Sequence, residues 1–429
     1  MITPIDYSDR HKRLDALLSG GTLVQFSKLA SDLTQDSFFH YLTGYPHADS
    51  VFVYCSHRDQ GQKSFLFVPR ATSHSRRFDG YAHTCESTKA SYSIDVVHYR
   101  DQFWELFPSL LNGSSGLSYG LGQDIGTDIK IIESLTKQRL LARKTGSNCN
   151  LPIFDSKAIS GRLRLIKEQA EIDRLGEAAR ITTESFQRVF QSLKPGESER
   201  AVHGKFLYEF AARGADGEAF SSSIATGSHA TCLHYHDHRS TLAPNDLILI
   251  DTGACFEHYT CDMTRCLPLG DVSTAKRTIH ELCCKAFDAA LAYAQVGYSF
   301  ADLNHAAGTV LVEGLHELGI LKGIKGAIFP ERILSTLYQK TMCHWVGLDV
   351  HDIGLTMLDG HPITFQPGMC IALEPGIYID HNHQSVREEY RGIGVRIEDT
   401  ILITAEGPIV LTADFPRDLN SLIQLQREG

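Results

Sequence analysis

"LILIDTGACFEHYTCDMTR", residues Leu247–Arg265, starts as a buried strand and ends among charges. Leu247, Ile248, Leu249 and Ile250 make an unbroken apolar run, Asp251 stands at its end, and Asp262 follows eleven residues later. A carboxylate at the edge of a core is costly unless something neutralises it. Taken alone, Asp251 before Thr252 and Gly253 opens a turn, and Asp262 pairs with Arg265 on a solvated strand. Three more strand-like segments set a metal-capable side chain beside apolar residues: "MCHWVGLDVHDIG" with His344 and His351, "MCIALEPGIYI" with Glu374, and "GIGVRIEDTILIT" with Glu398. Each has a plain reading too. His344 beside Trp345 reads as a packed histidine, and Glu374 before Pro375 and Gly376 as a loop residue. Glu398 reads as the same-face partner of Arg396. Singly, none of these residues identifies a site.

Around these segments lies a chain of 429 residues, too long for one ordinary core, so two domains are expected. Charged residues at 21% and apolar residues at 42% are ordinary for a soluble globular protein. A net charge of −10 with a pI near 6.1 argues against nucleic acid and anionic membranes as partners. The opening "MITPIDYSDRHKRLDALL" is charged throughout and lacks the apolar segment of a secretion signal, and no apolar run is long enough to span a bilayer. Eleven cysteines without a CxxC pair read as reduced thiols packed as small apolar side chains, which predicts a cytoplasmic protein.

Over residues 1–150, apolar strands such as "SVFVYC" and "SFLFVP" alternate with helical stretches such as "DIKIIESLTKQRLLA", which predicts a small α/β domain. The polar stretch "RKTGSNCNLP", Arg143–Pro152, is the expected linker, and a second domain is expected over 160–429. A long helix is expected to start near Leu165, with Ile166, Ala170, Ile172, Leu175, Ala178, Ala179 and Ile181 near helical spacing, and to end at "KPGE". The second half repeats itself weakly. "LKPGESERAVHGKFLYEFAARGA" and "AQVGYSFADLNHAAGTVLVEGLHELGI" both read as a glycine turn, a helix and a closing glycine, at Gly214 and Gly319. Two such units related by a pseudo-two-fold place a site in the seam between them. "GLGQDIG", Gly120–Gly126, has the spacing GxGxxxG and reads as a turn rather than a dinucleotide loop.

Five segments, "ATGSHATCLHYHDH", "LIDTGACFEHYTCDMTR", "HWVGLDVHDIG", "LEPGIYI" and "YRGIGVRIEDTILIT", resemble in order and separation the signatures of the pita-bread metallopeptidases of family M24, in their aminopeptidase P branch. "QDSFFHYLTGY" and "SFLFVPR" resemble that branch's extra N-terminal domain. The resemblance implies an α+β pita-bread catalytic domain with an internal pseudo-two-fold, preceded by a smaller α/β domain. It implies that Asp251, Asp262, His344, Glu374 and Glu398 bind two divalent metals, with Asp262 and Glu398 as the bridging pair. Four carboxylates carry −4 and two such ions +4. Without them, carboxylates ~4 Å apart repel by about 4 kcal/mol at an effective dielectric of 20. Mostly oxygen donors with one imidazole and no thiolate favour harder ions such as Mn²⁺, which the resemblance also implies.

The implied reaction is hydrolysis of the bond between an N-terminal residue and proline by a water that two metals share and acidify. The resemblance makes Glu374 the proton shuttle and His351 and His234 the side chains that contact the carbonyl oxygen and the substrate; His234 in "HYHDH" also reads as a solvated loop. Arg396 orients a ligand carboxylate, and Tyr378 lines the site. The expected substrates are peptides with proline in second position, and the expected assembly is a homo-oligomer, dimer or tetramer. In one place the chain departs from the family: a His-Gly pair is usual four residues before the metal histidine, and here Lys340 and Thr341 stand there. Prolidase, a dipeptidase, is the nearest rival, although Glu374 and Glu398 are only 24 residues apart, without the insert of animal prolidases. Non-catalytic binding modules and metal-free hydrolases of this fold lack the acidic residues that this chain keeps.

Overall fold

The computed structural model describes residues 2–28, 35–59, 62–78, 80–146, 150–322, 334–339, 341–358 and 360–428. They form two compact units, one of Ile5–Leu163 and one of Arg164–Gly429 with Met1–Pro4. The break between them at Leu163 lies beyond the stretch expected as a linker. Arg143–Thr145 end a long helix, and Ile153–Phe154 form a strand of the first unit's sheet. Its helix is held at the start by Asp124, whose carboxylate accepts from the Thr127 N–H, and closed at Gly146 in left-handed conformation.

The first unit runs α1 (Tyr7–Leu18), β1 (Thr22–Phe26), α2 (Ser37–Thr43), β2 (Val51–Cys55), β3 (Ser64–Val68), α3 (Ser73–Phe78), α4 (Cys85–Ser91), β4 (Val96–Tyr99), α5 (Phe103–Leu110), β5 (Leu117–Ser118), α6 (Ile125–Thr145), β6 (Ile153–Phe154) and α7 (Ser156–Arg164). Its six-stranded mixed sheet has the order β4-β3-β2-β1-β5-β6. Strands β2 and β3 are buried at every residue, which their β-branched and aromatic run demands. Phe67, Phe103 and Phe107 pack with Val24 and Val53 into the unit's core.

The second unit runs α8 (Gln169–Ser192), α9 (Glu199–Ala212), β7 (Gly217–Glu218), β8 (Ser223–Ala225), β9 (Asp246–Asp251), β10 (Ala254–Phe256), β11 (Tyr259–Thr260), β12 (Thr264–Leu269), α10 (Thr274–Leu291), α11 (Phe300–Glu317), β13 (Cys343–Trp345), β14 (Met357–Leu358), β15 (His361–Pro362), β16 (Cys370–Leu373), β17 (Gly376–Ile379), β18 (Ile393–Arg396), β19 (Asp399–Thr404), β20 (Gly407–Val410) and α12 (Leu419–Glu428). Two antiparallel sheets dominate, β8-β9-β12 and β13-β16-β19-β20, with the ribbon β17-β18 beside them. Helix α8 packs with α9, and α10 with α11. Helices α9 and α11 each end two residues before a left-handed glycine, Gly214 and Gly319. Helix pair and antiparallel sheet thus occur twice, as the weak sequence repeat predicts.

Helix α8 begins at Gln169, not near Leu165: a capping box between Glu168 and Glu171 starts it, and the Lys167 N–H is taken by the Gly368 carbonyl. Among the described residues no helix is long and apolar enough to cross a membrane, and all described cysteines are free thiols.

Candidate metal centre

The apolar run of β9 is buried from Asp246 through Ile250, and Asp251 is its last residue. No turn opens there. Asp251 still pairs with Ser223 of β8 and Thr264 of β12. Gly253 follows because a Cβ there would lie 1.8 Å from the Cys261 carbonyl oxygen. That close approach brings the segment holding Asp262 back along β9. His344 sits mid-β13, Glu374 directly after β16, and Glu398 between β18 and β19, so each carboxylate or imidazole is carried by a strand or a strand end.

These side chains meet. Nε2 of His344 lies 3.4 Å from Asp262 Oδ2, 3.8 Å from Glu374 Oε1 and 3.9 Å from Glu398 Oε1. Asp262, His344 and Glu398 offer ligand atoms all within 4.8 Å of one another. Asp251 and Glu374 line the same cavity of about 380 Å³, as do His234, His351 and Arg396. The His351 ring meets the His344 ring edge-on at 4.4 Å between centroids. Tyr378 does not line the cavity. It lies behind Arg396, whose Nη1 donates to the Tyr378 hydroxyl at 3.0 Å. Lys340 lies outside the described residues, and Thr341 is exposed.

The arginines do not neutralise the cluster. Arg265, the alternative partner of Asp262, is fully buried against Asp399 at 2.6 Å. Arg396 donates through Nη2 to Asp251 Oδ2 and through Nε to Thr264 Oγ1 at 3.0 Å, while its Nε stays 4.0 Å from Glu398. The Thr264 hydroxyl in turn donates to Glu398 Oε2 at 2.5 Å. Among the described residues, four carboxylates therefore share one guanidinium. Burial pushes Asp251 up to about 6 and Glu374 up to about 7 against the pull of Arg396. Burial, with Asp262 beside it, lifts Glu398 well above the carboxylate range. Burial alone would lower His344, but Asp262 and Glu374 outweigh it and raise it to about 9.

Cations fit these residues. Among the described residues, Asp251 Oδ1 and Asp262 Oδ1 are buried without a hydrogen-bond partner, an arrangement that costs several kcal/mol in an apo protein (about 1–3 kcal/mol per neutral group, more for charged ones). Nδ1 of His344 faces the Trp345 carbonyl at 3.0 Å. A carbonyl only accepts, so Nδ1 keeps its proton, and it is Nε2, facing the carboxylates, that would give up its proton and offer its lone pair to a cation. Oxygen donors with one imidazole suit hard or borderline divalent ions.

Some wall residues carry no legible signal. Phe220, Leu233, Val350 and His236 line the cavity, and the fully buried Thr264, which bonds Glu398 without lining it, is equally silent in the sequence. His236 sits inside the histidine-rich stretch, but nothing there separates it from its neighbours; the others are common strand and loop residues.

Comparison with known proteins gives the family. Residues 173–405 match the model of metallopeptidase family M24, and residues 16–118 that of the aminopeptidase P N-terminal domain. The Xaa-Pro aminopeptidase of Haemophilus influenzae is 30% identical over 98% of this chain and 96% of its own, and human Xaa-Pro aminopeptidase 3 is 29% identical over 95% and 80%. Among solved structures, an aminopeptidase of Pseudomonas aeruginosa superposes with a TM-score of 0.91 at 27% identity, covering 100% of this chain and 99% of that one. A zinc-substituted aminopeptidase P of Escherichia coli in complex with product does so with a TM-score of 0.91 at 26% identity, covering 99% of both chains. Family models, relatives and fold agree: this chain belongs to metallopeptidase family M24, in its aminopeptidase P branch.

Proposed function

We propose that this protein is a metal-dependent Xaa-Pro aminopeptidase, which releases the first residue of peptides with proline in second position. The observation that carries the reading is the convergence of Asp251, Asp262, His344, Glu374 and Glu398 on one cavity with a single arginine among its described lining residues. Two divalent cations, Mn²⁺ by the donor chemistry, would be held by these five side chains and would supply Lewis acidity and an acidified water.

The chain's own groups do the rest. Glu374, at the cavity wall, takes a proton from the attacking water and hands it to the proline nitrogen as the C–N bond breaks. His351 and His234 donate toward the carbonyl oxygen and the substrate backbone. Arg396 fixes Asp251, and Tyr378 fixes Arg396. The scissile bond before proline is a tertiary amide without an N–H, so a site that gripped that N–H would not recognise it. A homo-oligomer in a reducing compartment is part of the proposal, supported by the aminopeptidase P resemblance and by the free thiols; sedimentation velocity measures the assembly.

The test is Mn²⁺-loaded protein with Ala-Pro-Ala and Ala-Pro. Release of alanine from the tripeptide is expected. Cleavage of the dipeptide alone would make it a dipeptidase, and cleavage of neither would remove the reading.

A further inference from the structure

The segment Thr226–Ser240 brings His234 and His236 to the cavity wall, yet its only regular structure is a short 3-10 turn over Gly227–Thr231. Both its ends return to one side chain. Glu199, the first residue of α9, is fully buried and lies outside the cavity lining. Its Oε1 accepts from the Thr226 N–H at 2.9 Å and faces His229 Nδ1 at 3.4 Å. Its Oε2 accepts from the Tyr235 hydroxyl at 2.8 Å and from the Ser240 N–H at 2.9 Å. The Glu199 N–H closes the clamp on the Ser240 carbonyl at 2.9 Å. Tyr235, directly after His234, stacks on His229 with ring centroids 4.4 Å apart. Among the described residues, every side-chain donor to this carboxylate thus comes from the segment that carries His234. No lysine or arginine pairs with it among the described residues. A carboxylate buried without a cation is tolerated only where donors satisfy both oxygens. Here the segment supplies them, so ordering the segment and satisfying Glu199 are one event.

We propose that Glu199 is a positioning residue for the aminopeptidase reaction, fixing His234 at the cavity wall by closing Thr226–Ser240 on its carboxylate. The proposal rests on the reading of His234 as a substrate contact. Glu199→Gln sets an NH₂ group against donors and loosens the clamp without changing side-chain size. Hydrogen–deuterium exchange over residues 226–240 should accelerate about tenfold or more, with the sheets unchanged. With Ala-Pro-Ala, kcat/KM should fall about 10–100-fold in the wild-type background but no more than about twofold in His234→Ala, the signature of one residue acting through another. Mn²⁺ bound per chain should not change. Unaltered exchange, or the same loss of rate in both backgrounds, overturns the proposal. Should Glu199→Gln not fold, Tyr235→Phe, which removes one donor, must shift both readouts in the same direction, and no shift in either overturns it. If the wild type cleaves no Xaa-Pro peptide, the aminopeptidase reading fails and the exchange data alone decide the clamp.

Discussion

Thr264 hydroxyl connects the two charges that matter most, donating to Glu398 and accepting from Arg396. Thr264→Val should therefore cost about 1–3 kcal/mol in the metal-free protein, read by denaturant unfolding, and should weaken metal uptake; a change within error would mean that water replaces the hydroxyl. Asp262→Asn removes a carboxylate that lies 3.4 Å from His344. Its expected effect is loss of bound metal by elemental analysis, with Xaa-Pro cleavage down at least about a hundredfold because an acidified water is no longer supplied. At this scale the carboxylates and histidines were legible because their chemistry is rare beside apolar runs and their order matched a family. Thr264 and Glu199 were not. A threonine on a strand and a glutamate opening a helix are what ordinary elements carry, and only the fold shows what each one touches.

Backbone approach decides where the strands bring these groups. Gly253 faces the Cys261 carbonyl, and Gly394 in β18 faces the Ala230 carbonyl, where a Cβ would lie 1.9 Å from the oxygen. Gly394→Ala must push β18 away from the 226–240 segment. The expected loss is about 2–4 kcal/mol by thermal or denaturant unfolding, with a larger relative loss of peptide cleavage than of bound metal, because the histidine side of the cavity moves first. Stability equal to wild type would contradict this packing. Strand β9 and helix α6 were readable from pattern. The start of α8 was not, since "LIKE" continues a helical pattern while Lys167 and Arg164 are drawn instead to buried Asp352, Lys167 at 3.0 Å. The expected linker failed for a similar reason. "RKTGSNCNLP" is polar and glycine-bearing, yet Leu151 and Ile153 pack into the first unit's core, and composition carries no record of that long-range packing.

Taken whole, the catalytic unit is built around excess negative charge that the cations among its described residues do not balance. Asp251, Glu374 and His344 have folded-state pKa values raised from 3.8 to about 6, from 4.5 to about 7 and from 6.5 to about 9. A group raised on folding contributes stability that is present below its unfolded pKa and lost as pH rises through its folded pKa. In the metal-free protein these groups therefore lose their contribution between about pH 4 and pH 9. Metal needs the same groups deprotonated, so the rise in Tm on adding Mn²⁺ should be several degrees larger at pH 8 than at pH 5; an equal rise at both would show that the ions bind elsewhere. The most direct test of the central claim, that divalent cations balance this acidic cavity, is the number of Mn²⁺ ions bound per chain at pH 8 after chelation and reloading. The account predicts two per chain in the wild type, with loss in a protein carrying Asp262→Asn and Glu398→Gln. Equal uptake by both proteins, or none by either, would contradict it.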